Sequence, residues 1–321
     1  MRRFSFSLRD AAPPAVAVEI AGHRVSAASV ELRGGRNVVS AHASASLPEG
    51  ALVPSLTNAN VLDRAAVMTA LNSVLEHVGG RRRIGLVIPD PVAKVSLVKF
   101  QQVPARPQDL DQLVRWQVRK TAPFPIEEAQ VSYVRGALAA DGQEFVVSLA
   151  KREVVAEYES LCAEAGGYAG LVDLSTFNVV NAVLAGSGPP AADWLLVNVA
   201  PEWASMAILR GADLMFFRSR GAEGEGTLTD LVHQTAMYYE DRLSGAGFGR
   251  VMLCGASSVG ARQAADADAL RRSLEERLGT TVNSVDPRTA AALTDRIDGS
   301  PGLLDALAPL VGLLVRDREA A

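Results

Sequence analysis

Residues 15–47, AVAVEIAGHRVSAASVELRGGRNVVSAHASASL, carry the clearest indication of the fold. Apolar and β-branched residues predict three short strands here, at 15–20, 25–32 and 38–47. Turn residues separate them, first Gly22 with His23 and then Gly34 with Gly35. Strands joined by tight turns predict an antiparallel meander at the start of the domain.

The same pattern returns in the second half of the chain. After the glycine- and proline-rich linker at 186–190, strands are predicted at 194–199, 205–209 and 214–218. Helices and strands then alternate in both halves. The first half has a predicted helix at 61–78 and a strand at 84–88. The second half has a helix at 228–243, a strand at 251–254, a helix at 261–278, a strand at 281–285 and a helix at 303–316. This weak internal repeat has the order of the actin, hexokinase and Hsp70 superfamily, in which nucleotide lies between the halves.

A small α+β unit interrupts the first half. Its predicted elements are a strand at 95–103, a helix at 107–121, strands at 131–138 and 145–149, and a helix at 153–165. The prolines at 123 and 125 end the first of these helices. We therefore expect an α/β, actin-like, two-lobed fold with an inserted α+β subdomain: residues 1–93 plus 167–187 form the first lobe, 94–166 the insertion and 188–321 the second lobe.

Composition narrows the class of protein. The 321 residues carry a net charge of −4, which does not provide the basic face that nucleic acid binding needs. The two cysteines are far apart in sequence, and the four histidines have no metal-ligand spacing, so no metal site is predicted. Neither the start, MRRFSFSLRD, nor any other segment has the apolar run of a signal peptide or membrane helix. A soluble protein in a reducing compartment is expected.

The segment 113–133, LVRWQVRKTAPFPIEEAQVSY, resembles the inserted subdomain of PilM-family type IV pilus assembly proteins, with its PFP-(L/I)-E-E turn. Three further segments are similar to the family in the same order: 146–177, the helix and strand around 228–258, and LAPLVGLLVR at 307–316. The resemblance implies an actin-like fold close to that of the cell-division protein FtsA.

The resemblance also implies a function. PilM-like proteins are cytoplasmic scaffolds that a partner protein recruits to the inner face of the inner membrane. They do not insert into the membrane themselves. The expected partners are the cytoplasmic tail of a PilN-like membrane protein and other pilus assembly components, with no nucleic acid. The expected contact residues are Arg115, Trp116 and Phe124, beside the groove between the insertion and the first lobe.

The position of Trp116 on its helix leaves two interpretations open. At 100° per residue, an apolar stripe forms from Leu110, Leu113, Val114 and Val118. Trp116 falls outside this stripe, where it is either an interface anchor or satellite core beneath the 123–125 turn.

Two stretches stand where PilM-like proteins carry phosphate loops, D-I-G-(S/T)-x-(S/T)-x-K and D-I-G-x-x-x-T. Here they read EIAGHRVS at 19–26 and NVAPEWAS at 198–205. Gly22 is displaced, Asn198 replaces the aspartate, and Pro201 has no N–H to donate to phosphate. Trp203 adds bulk where phosphate would lie. No catalytic residue is predicted, and the interpretation is an inactive relative of the ATPases.

What remains of a nucleotide site is the turn 254–260, CGASSVG, and a carboxylate at Asp173. The N–H groups of Gly255, Ser257 and Gly260 could hold a nucleotide, or the segment is an ordinary strand-to-helix turn. Asp173 could hold Mg²⁺ through water or cap a helix. No cofactor is predicted, with weak binding of ATP and magnesium left open.

Three hypotheses follow. The leading one is a partner-binding scaffold of a type IV pilus or related secretion complex that has lost nucleotide hydrolysis. The second is an active actin-like ATPase or sugar-kinase relative, against which the altered phosphate loops weigh. The third is the cytoplasmic component of type II secretion related to GspL, a family that continues into a membrane helix, whereas this chain stops at Ala321.

Overall fold

The computed structural model describes residues 14–79, 82–221, 224, 226–259, 264–295 and 297–316. Up to residue 187 the elements are β1 (Val16–Ile20), β2 (Arg24–Arg33), β3 (Arg36–Ser46), α1 (Arg64–Val78), β4 (Arg83–Ile88), β5 (Ala93–Phe100), α2 (Pro107–Arg119), β6 (Ala129–Ala139), β7 (Gly142–Lys151), α3 (Arg152–Glu164), β8 (Tyr168–Leu174) and α4 (Ser175–Ser187). The later elements are β9 (Trp194–Ala200), β10 (Trp203–Arg210), β11 (Asp213–Gly221), α5 (Leu228–Leu243), β12 (Arg250–Cys254), α6 (Ala256–Val259), α7 (Ala264–Leu278), β13 (Val282–Ser284), β14 (Ala292–Leu293) and α8 (Pro301–Val315).

The first half forms a mixed sheet in the order β14-β3-β2-β1-β4-β8. Strands β1, β2 and β3 are the predicted antiparallel meander, and β4 adds in parallel to β1. Every residue of β1 is buried, because the sheet is covered on both faces. Helices α1 and α3 pack on one face, and α8 packs on the other.

The second half repeats this plan with the order β11-β10-β9-β12-β13. Strands β9, β10 and β11 form the second meander, and β12 adds in parallel to β9. Helices α5 and α7 cover one face of this sheet, and α4 packs against the other. Each lobe therefore presents the end of a β-hairpin to the space between them.

The insertion is a three-stranded antiparallel sheet in the order β5-β7-β6. One face packs on α2 through the buried Leu110, Val114 and Val118, which confirms the predicted apolar stripe apart from the half-buried Leu113. The opposite face contacts the second lobe, where Val95 and its neighbours pack beside β11. The sheet of the insertion thus lies between α2 and the second lobe.

Three elements, α3, β14 and α8, pack away from the unit to which the sequence assigned their residues. The buried face of α3 lies in the core of the first lobe with α1, although α3 was expected to close the insertion. The C-terminal elements β14 and α8 also pack on the first sheet, although residues 188–321 were assigned to the second lobe. The division into 1–93 plus 167–187, 94–166 and 188–321 stays a prediction, with these contacts linking its parts.

Some element bounds also differ from the prediction. Helix α4 runs to Ser187, so it includes the start of the predicted linker at 186–190. The helix predicted at 261–278 corresponds to α7 (Ala264–Leu278), and a short helix that was not predicted, α6, precedes it. The final helix begins at Pro301 instead of residue 303, since proline is well suited to the first turn of a helix.

Candidate functional site

The two altered phosphate loops contact each other across the space between the lobes. In the β9–β10 hairpin, Glu202 extends toward the β1–β2 hairpin, and its Oε1 lies 3.5 Å from Nδ1 of His23. A Cβ added to Gly22 would lie only 2.7 Å from Cδ of Glu202. The side chain of Glu202 therefore fills the approach to the first loop and brings negative charge where a phosphate would have to lie.

Little open space remains between the lobes. The cavity there has a volume of about 20 Å³, roughly the room that one water molecule needs. Its lining includes Trp203, which is buried and whose bulk was predicted to occupy the phosphate position. As the described residues leave it, this cavity is too small for a triphosphate or an adenine ring.

Glu19 stands at the position of the first loop's aspartate and is occupied by internal partners. Its Oε2 lies 3.0 Å from Nη2 of Arg24, and its Oε1 accepts a hydrogen bond from the Ser175 hydroxyl at 3.2 Å. A carboxylate paired with a neighbouring guanidinium and a hydroxyl is already satisfied. Among the described residues, no cluster of three or more histidine, cysteine or acidic side chains is arranged to hold a metal ion.

Asn198 belongs to a buried polar network. Its Nδ2 donates to Oγ1 of Thr176 at 2.9 Å and approaches the Ser175 hydroxyl at 3.4 Å. Thr176 in turn donates its hydroxyl to Asp90, and its backbone N–H donates to the same carboxylate at 3.0 Å. The network therefore joins the second lobe to the start of α4 and to the first lobe.

Two carboxyl groups lie near this network. Burial raises the pKa of Asp90 to about 6, against the lowering effect of the hydrogen bonds from Thr176. Burial also raises the pKa of Asp173, and the nearby Arg316 guanidinium opposes this shift. The side chain of Asp173 accepts a hydrogen bond from the N–H of Leu174 and lies 3.4 Å from Arg316. Leu174 is the N-cap residue of α4, so Asp173 does not bond to the N–H groups of the first turn of that helix.

The glycine-rich turn after β12 is bound by the protein itself. Gly255 has a φ of +82°, and an added Cβ would lie 1.9 Å from the carbonyl oxygen of Val199, so only glycine fits here. The N–H groups of Gly255 and Ser257 donate to the two carboxylate oxygens of Asp305, each at 2.9 Å. The donors predicted for a nucleotide therefore hold a side chain of α8, while Gly260 lies outside the described residues.

Asp305 was missed by sequence reasoning, although one signal for it exists. It is the single charged residue within 301–315, PGLLDALAPLVGLLV, a helix that is otherwise apolar around its circumference. A lone carboxylate in such a helix must find partners when it is buried. Its partners lie about fifty residues earlier in the chain, so the sequence alone does not identify them.

A second candidate site lies on the outer surface of α2. The ring of Trp116 is 61% exposed, and the ammonium of Lys120 lies 5.8 Å from its centroid. Trp116 therefore does not pack as satellite core beneath the 123–125 turn, which was one of its two interpretations. A large aromatic ring left in water beside a cation is typical of a contact surface.

The other predicted contact residues have clearer structural ties. Nε of Arg115 lies 2.8 Å from Asp111 one turn earlier, which orients the guanidinium along the helix. Phe124 is half-buried against the core of the insertion. Their part in partner binding stays a prediction, with Trp116 the most accessible of the three.

A groove begins near the C-terminal end of α2. Nζ of Lys94 donates to the carbonyl oxygen of Thr121 at 2.7 Å, and Lys94 also lines the groove. The groove has a volume of about 380 Å³ and is lined by Leu56, Pro91, Ala93, Lys94, Val95, Phe217, Arg218, Ser219 and Gly221. It lies where the first lobe, the insertion and β11 meet, and it combines an apolar lining with two basic side chains.

The sequence matches one family model, described as type IV pilus assembly protein PilM, over residues 17–246. No curated protein matches it significantly. In the part of the chain that the structure describes, no helix is long and apolar enough to cross a membrane.

Solved structures show the fold. A "PilM-PilN type IV pilus biogenesis complex" superimposes with a TM-score of 0.78 at 18% identity, covering 94% of this chain and 97% of the other. Weaker similarity extends to a Bacteroides thetaiotaomicron protein with an actin-like ATPase fold (TM-score 0.47, 9% identity, 84% and 89% covered). The cytoplasmic domain of EpsL from the type II secretion system of Vibrio cholerae is similar at the same level (TM-score 0.47, 9% identity, 75% and 81% covered). The fold is actin-like, which confirms the predicted fold class.

Proposed function

The chain belongs to the PilM family of type IV pilus assembly proteins, and on this basis we propose that it is a partner-binding scaffold without ATPase activity. Its partner is the cytoplasmic tail of a PilN-like inner-membrane protein, which holds it at the inner face of that membrane beside other pilus assembly components. The solved complex to which its fold is similar contains such a pair.

The exposure of Trp116 is the observation that carries this proposal. Trp116 is 61% exposed, and exposure of a large apolar ring to water is unfavourable. Burial of the ring beneath a partner would therefore contribute favourably to the free energy of binding. Buried tryptophan and arginine residues account for much of the binding energy at protein interfaces. Arg115 lies next to Trp116 and adds a charged group to the same part of α2.

The groove beside α2 gives the tail a path. Lys94 lines the groove and also donates to the carbonyl oxygen of Thr121, two residues beyond the end of α2, so the groove lies close to this end of the helix. Apolar residues such as Phe217 suit an extended peptide's apolar side chains, and Lys94 and Arg218 suit an acidic group or carbonyl oxygens. We propose that the tail lies in this groove and contacts Trp116.

Loss of hydrolysis is supported by what fills the cleft. A cavity of about 20 Å³ leaves no room for ATP, and Glu202 adds negative charge beside the first loop. An active ATPase would need phosphate-binding N–H donors and a free carboxylate for Mg²⁺. Here Pro201 provides no N–H in the second phosphate loop. The N–H groups of the turn after β12 bind Asp305, and Glu19 is paired with Arg24.

The test compares wild-type protein with Trp116→Ala for binding to a synthetic peptide of the tail, by calorimetry. We expect at least about tenfold weaker binding, since truncation of a central anchor commonly costs more than about 1.4 kcal/mol. The melting temperature should stay within about 2 °C of wild type, because the ring is exposed and buries little surface.

The matched control is Tyr238→Ala, which removes another exposed aromatic residue from a helix, on the second lobe. Its affinity for the peptide should equal that of wild type. Equal affinities for all three proteins, or an equal loss in both variants, would remove Trp116 from the interface and contradict the proposed site.

A further inference from the structure

Three contacts made by the chain's own side chains join opposite sides of the nucleotide cleft. We propose that these contacts keep the lobes closed without any nucleotide, and that the Asp305 carboxylate occupies the N–H groups with which the turn after β12 would otherwise hold a nucleotide. This inference concerns the conformation of the protein and is independent of the partner-binding role.

The contact between Asp305 and the N–H groups of Gly255 and Ser257 joins the two lobes, although all three residues lie in the second half of the sequence. Helix α8 packs on the sheet of the first lobe, where Leu307 and Leu310 are fully buried. The turn that holds Gly255 and Ser257 follows β12 of the second lobe. The carboxylate therefore fixes a second-lobe turn to a helix anchored on the first lobe.

The geometry of this contact is that of a strong hydrogen-bonded pair. Each carboxylate oxygen of Asp305 accepts one backbone N–H at 2.9 Å, and the side chain is nearly buried. Hydrogen bonds to an ionised acceptor are about twice as strong as neutral ones, and they weaken little with salt when buried. If the lobes separated, both N–H groups and the carboxylate would need new partners.

The other two contacts act at different points of the cleft. Glu202 of the second lobe meets His23 of the first at 3.5 Å, at the tips of the two hairpins. Thr176, at the start of the helix α4 that packs on the second sheet, donates its backbone N–H to Asp90 of the first lobe at 3.0 Å, deep in the cleft. Together the three contacts restrain the separation of the lobes.

Nucleotide in the actin-like fold acts as the ligand that two lobes share. A ligand changes the balance between open and closed forms only through its difference in affinity for them. When side chains of the protein already provide the shared contacts, the closed form is populated without a ligand. ATP with Mg²⁺ should then leave the shape of the protein unchanged.

Hydrogen–deuterium exchange on the full chain tests this inference, with Asp305→Asn as the variant. The amide replaces one acceptor oxygen with a donor, so one backbone N–H loses its partner. We expect about tenfold faster exchange at residues 255–258, and also at the hairpin tips 20–24 and 200–203, because the lobes open more often. Asp298→Asn, at an exposed position, removes the same charge and should exchange as wild type does.

Faster exchange confined to residues 255–258 would reduce Asp305 to a local cap and overturn the proposal. Small-angle scattering of the wild-type protein gives a second test that requires no variant. The radius of gyration should be the same with and without millimolar ATP and Mg²⁺. A nucleotide-dependent change in the wild type would contradict closure by the protein's own side chains.

Discussion

Asp90 is fully buried and has its pKa raised to about 6, mainly by burial and in part by the charge of Asp173. The unfolded chain releases this proton near the ordinary value of 3.8, so between these values the folded state binds more protons than the unfolded state. Stability due to this group is therefore fully present at low pH and is lost as pH rises toward 6.

The substitution Asp90→Asn should remove this pH dependence. The unfolding free energy of wild type minus that of the variant should fall by as much as about 3 kcal/mol between about pH 4 and pH 7, at roughly 1.4 kcal/mol per pKa unit. Chemical denaturation of both proteins across this range measures the difference. A difference that grows with pH would mean that ionised Asp90 stabilises the fold.

At the residue scale, the sequence supports a prediction where the signal is local. The altered phosphate loops are visible as Asn198, Pro201 and Trp203 because the loop pattern spans eight neighbouring residues. The roles of Glu202 and Asp305 depend on partners brought close only by folding, 179 and about 50 residues away respectively. No periodicity or motif encodes such contacts.

Helices α4 and α8 approach each other closely where they pack together. At their crossing, a Cβ added to Gly312 would lie 1.7 Å from the carbonyl oxygen of Asn178. Only a residue without a side chain allows this approach between two helix backbones. The contact sets the distance between the helix that follows the first sheet and the helix that carries Asp305.

Gly312→Ala should therefore destabilise the protein by about 1–3 kcal/mol, because the helices must separate. The opposite sign follows from helix propensity alone, which favours alanine by up to about 1 kcal/mol. Gly302→Ala in the first turn of the same helix is the control, since its Cβ would lie 4.0 Å from Cβ of Ser257. It should be neutral or slightly stabilising in denaturant titration, and a loss as large as that of Gly312→Ala would rule out crowding as the cause.

Among the helices and strands, the bounds were predicted best where residues at the ends of the element mark where it begins and stops. Helix α5 was predicted at 228–243, and a capping box of Thr227 and Asp230 starts it there. The location of α8 on the first sheet was not predicted, since a helix that is apolar all round shows no face to orient it. The two-residue strand β14 is too short to give a pattern.

The whole molecule combines a duplicated plan with a single closed cleft. Both lobes were predicted from their meanders, and the actin-like fold is confirmed. The sequence could not predict that α3 and α8 join the first lobe, because packing of distant segments decides where they lie. These links make the lobes and the insertion structurally interdependent.

We propose that a PilN-like tail binds this closed protein without help from nucleotide. Calorimetric titration of the tail peptide, with and without ATP and Mg²⁺, tests it most directly. Because the cleft is filled by Glu202, Trp203 and Asp305, we expect the same Kd under both conditions, with phosphate release at background. Binding that requires ATP, or ATP hydrolysis during the titration, would contradict the account.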